Sequence, residues 1–327
     1  MEPGFAVCNP GGRDRTRIFA QGAGLPSDYG HPPINYHAYA ACCRSGYYRR
    51  SEEVPDSVRT VLVLLRKDGL NHALQAVRKL HARGKRVVIS WKESGLHQVA
   101  RVLAKPRLGE RFRAVCREAD GFISSTTELV PLYEAARCGP GGFVPTPYPV
   151  EEPAWDFSLP MRQRRGIFIG TREFGVPSRN HFLAISSVLK LGEPVTVINT
   201  EGWTGSRLLR AISGDLRIVS GRLPYTAYLC LVARHRFVFQ LDRSSVPGQV
   251  AGDALLCRLP CVGGDGAVDK LAFPGLEGMG LPAAVNVAER LVSDDDYYAE
   301  TVEKSRELAL MHLSFSKVRA QLLSGTA

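Results

Sequence analysis

The chain has 327 residues, 44% hydrophobic and 23% charged, enough for two domains of about 150 residues that each bury a core of their own. No apolar stretch approaches the roughly 20 residues that span a bilayer. The N-terminus has no basic run leading into an apolar one, so no signal peptide is expected and the expected location is the cytoplasm.

None of the eight cysteines stands in a Cys-x-x-Cys pair, which argues against a structural zinc site and for small buried hydrophobes in a reducing compartment. The net charge of +10 is uneven. Residues 1–150 hold 22 Lys+Arg against 13 Asp+Glu, whereas residues 151–327 hold 20 against 19. The asymmetry points to an anionic partner for the first half.

Along the chain, an apolar run from Gly4 to Cys8 breaks at Asn9-Pro10-Gly11-Gly12, and a loop-rich stretch extends to Ile34. Tyr36–Cys43 reads as a second strand. Thr60–Leu65 is a continuous β-branched and aliphatic run, as in a strand buried on both faces. From Asn71 to Arg83, Leu74, Val77 and Leu80 share a helical face, and Gly84 ends the helix. Strand Arg86–Trp91, helix Gly95–Leu103, helix Phe112–Asp120 and strand Gly121–Ser124 come next. Thr126–Arg137 reads as a helix with a capping residue at its start, and Gly142–Pro145 closes the half. Residues 146–162, with Pro147, Pro149, Pro153 and Pro160, form an extended linker.

The alternation then restarts. Strands are expected at Gly166–Ile169, Pro194–Ile198, Leu216–Val219, Phe237–Gln240 and Pro260–Gly263. Helices are expected at Asn180–Leu191, Ser206–Ile212, Tyr225–Ala233 and Gln249–Cys257. A long amphipathic stretch closes the chain from Asp294 to Leu323. Two complete α/β halves imply two parallel, doubly wound sheets with a ligand cleft at the carboxyl ends of their strands.

Three segments carry chemistry. Ile167-Phe168-Ile169-Gly170-Thr171-Arg172, with Ser178-Arg179-Asn180 shortly after, is a strand, a glycine turn and two arginines near a helix start. That combination suits a pyrophosphate. Asp242 to Gly264 runs from a strand end through the turn at Ser245, Gly248 and Gln249 into a helix that holds Asp253. The turn suits phosphates, and Asp253 suits a ribose diol. Gly264 lies in the glycine turn after the last strand, on the same side. In the first half Glu93, just past a strand, is a candidate general base. Arg13, Arg15 and Arg17 with Tyr47, Tyr48, Arg49 and Arg50 interleave basic and aromatic residues, as a nucleic-acid site would. Ser293-Asp294-Asp295-Asp296 reads as a helix start with Ser293 as cap, and no metal site is expected.

Together these pieces resemble the donor domain of GT-B glycosyltransferases, in particular the large retaining family that includes sucrose and glycogen synthases. In that family a Gly-Arg and a downstream basic residue contact the diphosphate, and a Glu-x7-Glu motif precedes Ala-Met-Ala-x-Gly-x-Pro-Val-Val. Gly170, Arg172 and Arg179 fall on the basic pair. The run from Asp253 to Val262 falls on the second acid and the segment after it. Ala119 to Thr126, and Gly142 to Val150, resemble steps of the N-terminal half. The first acid of the pair is Ser245 here.

The resemblance implies two facing Rossmann-like domains, with an acceptor domain at 1–150 and a nucleotide-sugar domain at 151–327 whose last helix returns to the first. It implies a metal-independent glycosyltransferase with a nucleotide-diphosphate sugar, UDP-sugar foremost, as donor substrate and no other cofactor. Arg172 and Arg179 would stabilise the leaving diphosphate. From the charge of the first half, the expected acceptor is a hydroxymethylated pyrimidine in DNA. An envelope glycan or anionic lipid is the alternative, and a non-catalytic binding protein with a degenerate fold is a third reading.

Overall fold

The computed structural model describes residues 4–27, 31–92, 95–172 and 174–324. In the first half β1 (Phe5–Cys8), β2 (Arg17–Ile18), α1 (Tyr36–Cys42), β3 (Gly46–Tyr48), β4 (Thr60–Leu65) and α2 (Leu70–His81) come in order. After them stand β5 (Arg86–Trp91), α3 (Leu96–Leu103), α4 (Pro106–Glu118), β6 (Gly121–Ser124), α5 (Val130–Ala135) and β7 (Gly141–Phe143). The seven strands form one sheet in the order β2-β3-β1-β4-β5-β6-β7. Every pair in it is parallel except β2 with β3. The unbroken apolar strands β4 and β5 lie at its centre, buried on both faces as their composition requires.

The second half holds β8 (Ile167–Ile169), α6 (His181–Val188), β9 (Val195–Asn199), α7 (Gly202–Ile212), β10 (Arg217–Ser220) and α8 (Tyr225–Val232). It continues through β11 (Phe237–Phe239), α9 (Gln249–Leu256), β12 (Cys261–Val262) and α10 (Ala267–Ala272). Three further helices, α11 (Leu281–Ser293), α12 (Asp295–His312) and α13 (Phe315–Leu323), end the chain. Its five strands are all parallel, in the order β10-β9-β8-β11-β12. Six of the eight cysteines are buried and all are free thiols.

Three expectations fail for identifiable reasons. Tyr36–Cys43 is the helix α1, not a strand. All seven of its residues are buried, between the first sheet and α13. A segment buried on every side shows neither a period of two nor one of 3.6, and three alanines favour the helix. Thr126 does not cap a helix; a 3-10 turn at Thr127–Leu129 precedes α5, which begins at Val130 because Pro131 fits only a first turn. The C-terminal stretch is not one helix. Ser293 ends α11 with its hydroxyl on the Glu289 carbonyl (3.0 Å), and Asp294 caps α12 by accepting from the Tyr297 amide (2.9 Å).

A break at Leu313–Ser314 then sends α13 back to the first half, in keeping with the expected return of the last helix. There Phe315, Val318 and Leu322 are buried, each contributing about 1.5–3 kcal/mol. The Tyr148 amide donates to the Leu313 carbonyl (2.8 Å), and the Glu151 carboxylate accepts from the Phe315 and Ser316 amides (3.2 and 2.8 Å). The chain thus crosses between the halves twice, side by side.

Candidate active site

A cleft of about 720 Å³ lies between the two sheets. Its first wall comes from the loops after β1 and β5 and the approach to α1, through Asp14, His31, Asn35 and Lys92. Its second wall comes from the carboxyl ends of β8 to β12. These supply Gly170 to Arg172, Thr200, Arg222, Gln240 and Asp242, the start of α9, Gly266 and Asp269. Parallel sheets open their crevice at these ends because every strand there gives way to a loop.

The turn after β8 is built tightly. The Gly170 amide donates to the Phe239 carbonyl (3.1 Å), and a Cβ on Gly170 would lie 2.2 Å from Val250 Cγ1. This glycine therefore lets α9 approach the sheet, and its N–H is not available to a ligand. The Arg172 guanidinium lies 5.6 Å from the centre of the Tyr228 ring, and among the described residues no carboxylate pairs with it. Arg179 behaves differently. It forms an ion pair with Asp242, a carboxylate buried to 4% side-chain exposure. The two arginines thus share the cleft but are not an equivalent pair.

Gly248, at φ 94°, turns the chain into α9 in a conformation that favours glycine. The first N–H groups of α9 have no partner within the helix, and its dipole places positive potential at this end. Gln249 lines the cleft, and its side-chain oxygen accepts from Asn35 Nδ2 across it (3.1 Å). Asp253, one turn further on, is buried and accepts from the Tyr225 hydroxyl (2.5 Å). Burial pushes its carboxyl up to about 7, against the opposing effects of the Tyr225 hydrogen bond and the Arg172 charge.

Two residues singled out from the sequence are not brought to the cleft wall. Ser245, at φ 47°, faces Asp265, with its amide 2.9 Å and its hydroxyl 3.3 Å from that carboxylate. Gly264 is packed behind the wall, where a Cβ would lie 2.3 Å from Asp269 Oδ1. Glu93 lies outside the described residues.

On the first wall Asp14 accepts from Asn9 Nδ2 (3.1 Å) and the Tyr47 hydroxyl (2.9 Å) and pairs with Lys92. Burial would raise its carboxyl, but the Lys92 hydrogen bond and charge, with Tyr47, outweigh this and hold it at about 2. His37 is stacked between His31 (3.9 Å) and Tyr47 (3.8 Å), and burial pushes it down to about 3.

The nucleic-acid reading of this region gains no support. Arg13, Arg15, Arg49 and Arg50 are exposed around the edge pair β2–β3, and Arg17 is half-buried over Phe19. Tyr47 and Tyr48, the aromatics meant to stack on bases, are core residues at 0% and 6% exposure. Asp14, in the middle of the arginine run, is the member of that run that lines the cleft. Neither it nor Lys92, Asn35 or Asp269 stood out in the sequence, because their meaning comes from contacts 29 to 214 residues away.

No family profile and no curated protein matches the sequence. Solved structures match its backbone. Anabaena Alr3699/HepE, in complex with UDP and glucose, is similar at a TM-score of 0.60 and 13% identity, over 82% of this chain and 78% of that one. A UDP-forming α,α-trehalose-phosphate synthase from Burkholderia xenovorans is similar at 0.57 and 16%, over 84% and 74%. The pneumococcal O-GlcNAc transferase GtfA, in complex with UDP and GlcNAc, is similar at 0.58 and 10%, over 81% and 56%.

At such identities the likeness shows the fold. It is GT-B, two facing Rossmann-like domains with a cleft between them, as the sequence resemblance implied.

Proposed function

We propose that this protein is a nucleotide-sugar-dependent glycosyltransferase, with residues 151–327 holding the donor and residues 1–150 the acceptor. The observation that carries the reading is a convergence in one cleft. Arg172, with no acidic partner among the described residues, meets the glycine-turned start of α9 and Asp253 there. Each matches one part of a nucleotide-diphosphate sugar. The start of α9 and Arg172 suit the diphosphate. Asp253 suits the ribose hydroxyls.

In transfer, the developing charge on the leaving diphosphate is met by Arg172 and the α9 amides, already oriented before reaction. Arg179, held by Asp242, shapes the turn beside them. No metal is needed for this charge in the scheme. UDP is the expected nucleotide, since the similar structures carry it or form it. The acceptor is a hydroxyl of a small sugar, sugar phosphate or glycan, a size the cleft accommodates once the donor is in place. Glu93 remains the candidate base on the acceptor side.

Calorimetry with UDP, with and without EDTA, tests the donor site. Binding in the micromolar range that survives the chelator is expected. Binding that disappears with EDTA would overturn the metal-free scheme, and no binding of any nucleotide would overturn the reading itself.

A further inference from the structure

Four buried or half-buried acids surround the start of α9, and three are already engaged. Asp242 pairs with Arg179, Asp265 with Ser245, and Asp253 with Tyr225. The fourth, Asp269, stands in the first turn of α10 at 1% exposure. Its Oδ1 accepts from Gln240 Nε2 (3.0 Å) and from the Cys261 thiol (3.7 Å), and among the described residues no cation pairs with it.

Its Oδ2 points elsewhere. It lies 3.2 Å from where a Cβ on Gly248 would stand and 2.7 Å from where one on Gly266 would stand. Both glycines, and Asp269 itself, line the cleft. A side chain at either position would roof over the carboxyl. The two glycines thus leave a window through which a buried acid reaches the cleft beside the N-terminus of α9.

We propose that Asp269 is the specificity-determining residue for the donor sugar, holding one of its hydroxyls through Oδ2. The inference rests on the glycosyltransferase reading and deepens it. A diphosphate seated at the start of α9 places its sugar against the groups around that helix end. Asp269 is the acid there with an oxygen open to the cleft and, among the described residues, no charge partner. Ser245 cannot serve, because both its amide and its hydroxyl face Asp265. Burial, and after it the charge of Asp242, pushes the Asp269 carboxyl up to about 7. Near neutral pH it can therefore donate to a sugar oxygen as well as accept from a hydroxyl.

The test compares UDP with UDP-glucose and UDP-N-acetylglucosamine by calorimetry, on the wild type and on Asp269→Asn and Asp269→Ser. Asn keeps the shape and removes the carboxyl; Ser shortens the side chain so that it no longer reaches the cleft. Both variants should bind UDP within about twofold of wild type, which also reports a folded cleft. Both should bind the sugar nucleotide that the wild type prefers roughly tenfold or more weakly, the loss of one hydrogen bond to a charged or strongly polar group. Should Asp269→Asn melt below the assay temperature, Asp269→Ser decides alone. Unchanged sugar-nucleotide affinity with UDP binding intact overturns the role of Asp269 and leaves the transferase reading standing. A wild type that binds neither UDP nor its sugars overturns both.

Discussion

Arg172 and Arg179 stand seven residues apart and line one cleft, yet replacing each by Ala should give opposite results. Arg179 neutralises Asp242, whose side chain is 4% exposed against 20% for the arginine. Removing one partner of a buried pair strands the other charge and costs about 3–5 kcal/mol. The exposure of Arg179 and the Ser244 amide on Asp242 (2.9 Å) argue for the lower end, about 3 kcal/mol. At roughly 2–4 °C per kcal/mol, the melting temperature of Arg179→Ala should fall by about 6–12 °C.

Arg172 has no acidic ion-pair partner among the described residues, and its contact with the Tyr228 ring is an interaction worth about 0.5–1 kcal/mol near a surface. Arg172→Ala should therefore melt within about 4 °C of wild type. Its affinity for UDP should drop roughly 10- to 150-fold, the equivalent of one charge-assisted contact of about 1.5–3 kcal/mol. Differential scanning fluorimetry and calorimetry on the two variants check both halves. Full stability in Arg179→Ala, or unchanged UDP affinity in Arg172→Ala, would refute the division of labour.

Asp253→Asn should show a pH signature. The folded-state carboxyl, at about 7, lies above its unfolded value of 3.8, so the wild type gains stability from protonation at low pH and loses it as pH rises through 7. The amide has no such dependence, and the variant should gain about 2–3 kcal/mol relative to wild type between pH 5 and 8. Urea melts at the two pH values measure this, and a constant difference would contradict it. The same variant should bind UDP more weakly; equal affinity would remove Asp253 from the ribose site. Gly252→Ala should destabilise by about 1–3 kcal/mol or more, because its Cβ would stand 1.9 Å from Cζ of Tyr148. Tyr148 is tied to the crossing by its amide, so it has little freedom to retreat; a wild-type melt would show that it moves.

The fold was legible where burial left a pattern. The continuous apolar strands β4 and β5 and the one-sided helix α2 are all but the expected spans, because composition and period there reflect being covered on two faces or on one. The pattern failed for α1, covered all round, and at Leu313–Ser314, where a crossing between halves interrupts helices with no glycine or proline to signal it. For the site, a strand end, a glycine turn and an arginine were readable at Gly170 to Arg172 because they are contiguous. Ser245 was placed by motif spacing, and Gly264 by following the last expected strand. A left-handed turn at 245 and close packing at 264 turn them from the cleft. Asp14, Lys92 and Asp269 become meaningful only when each sheet brings its own distant loops together at the cleft.

Glycosyl transfer in this cleft is tested most directly by incubating the wild-type protein with a panel of nucleotide sugars in EDTA and identifying the released nucleotide by mass spectrometry. One UDP-sugar should be consumed with release of UDP, and the release should fall at least tenfold in Arg172→Ala. A protein that melts as a folded species yet releases no nucleotide from any sugar donor, with or without sugar, sugar-phosphate and glycan acceptors, would contradict the claim that this cleft transfers a glycosyl group.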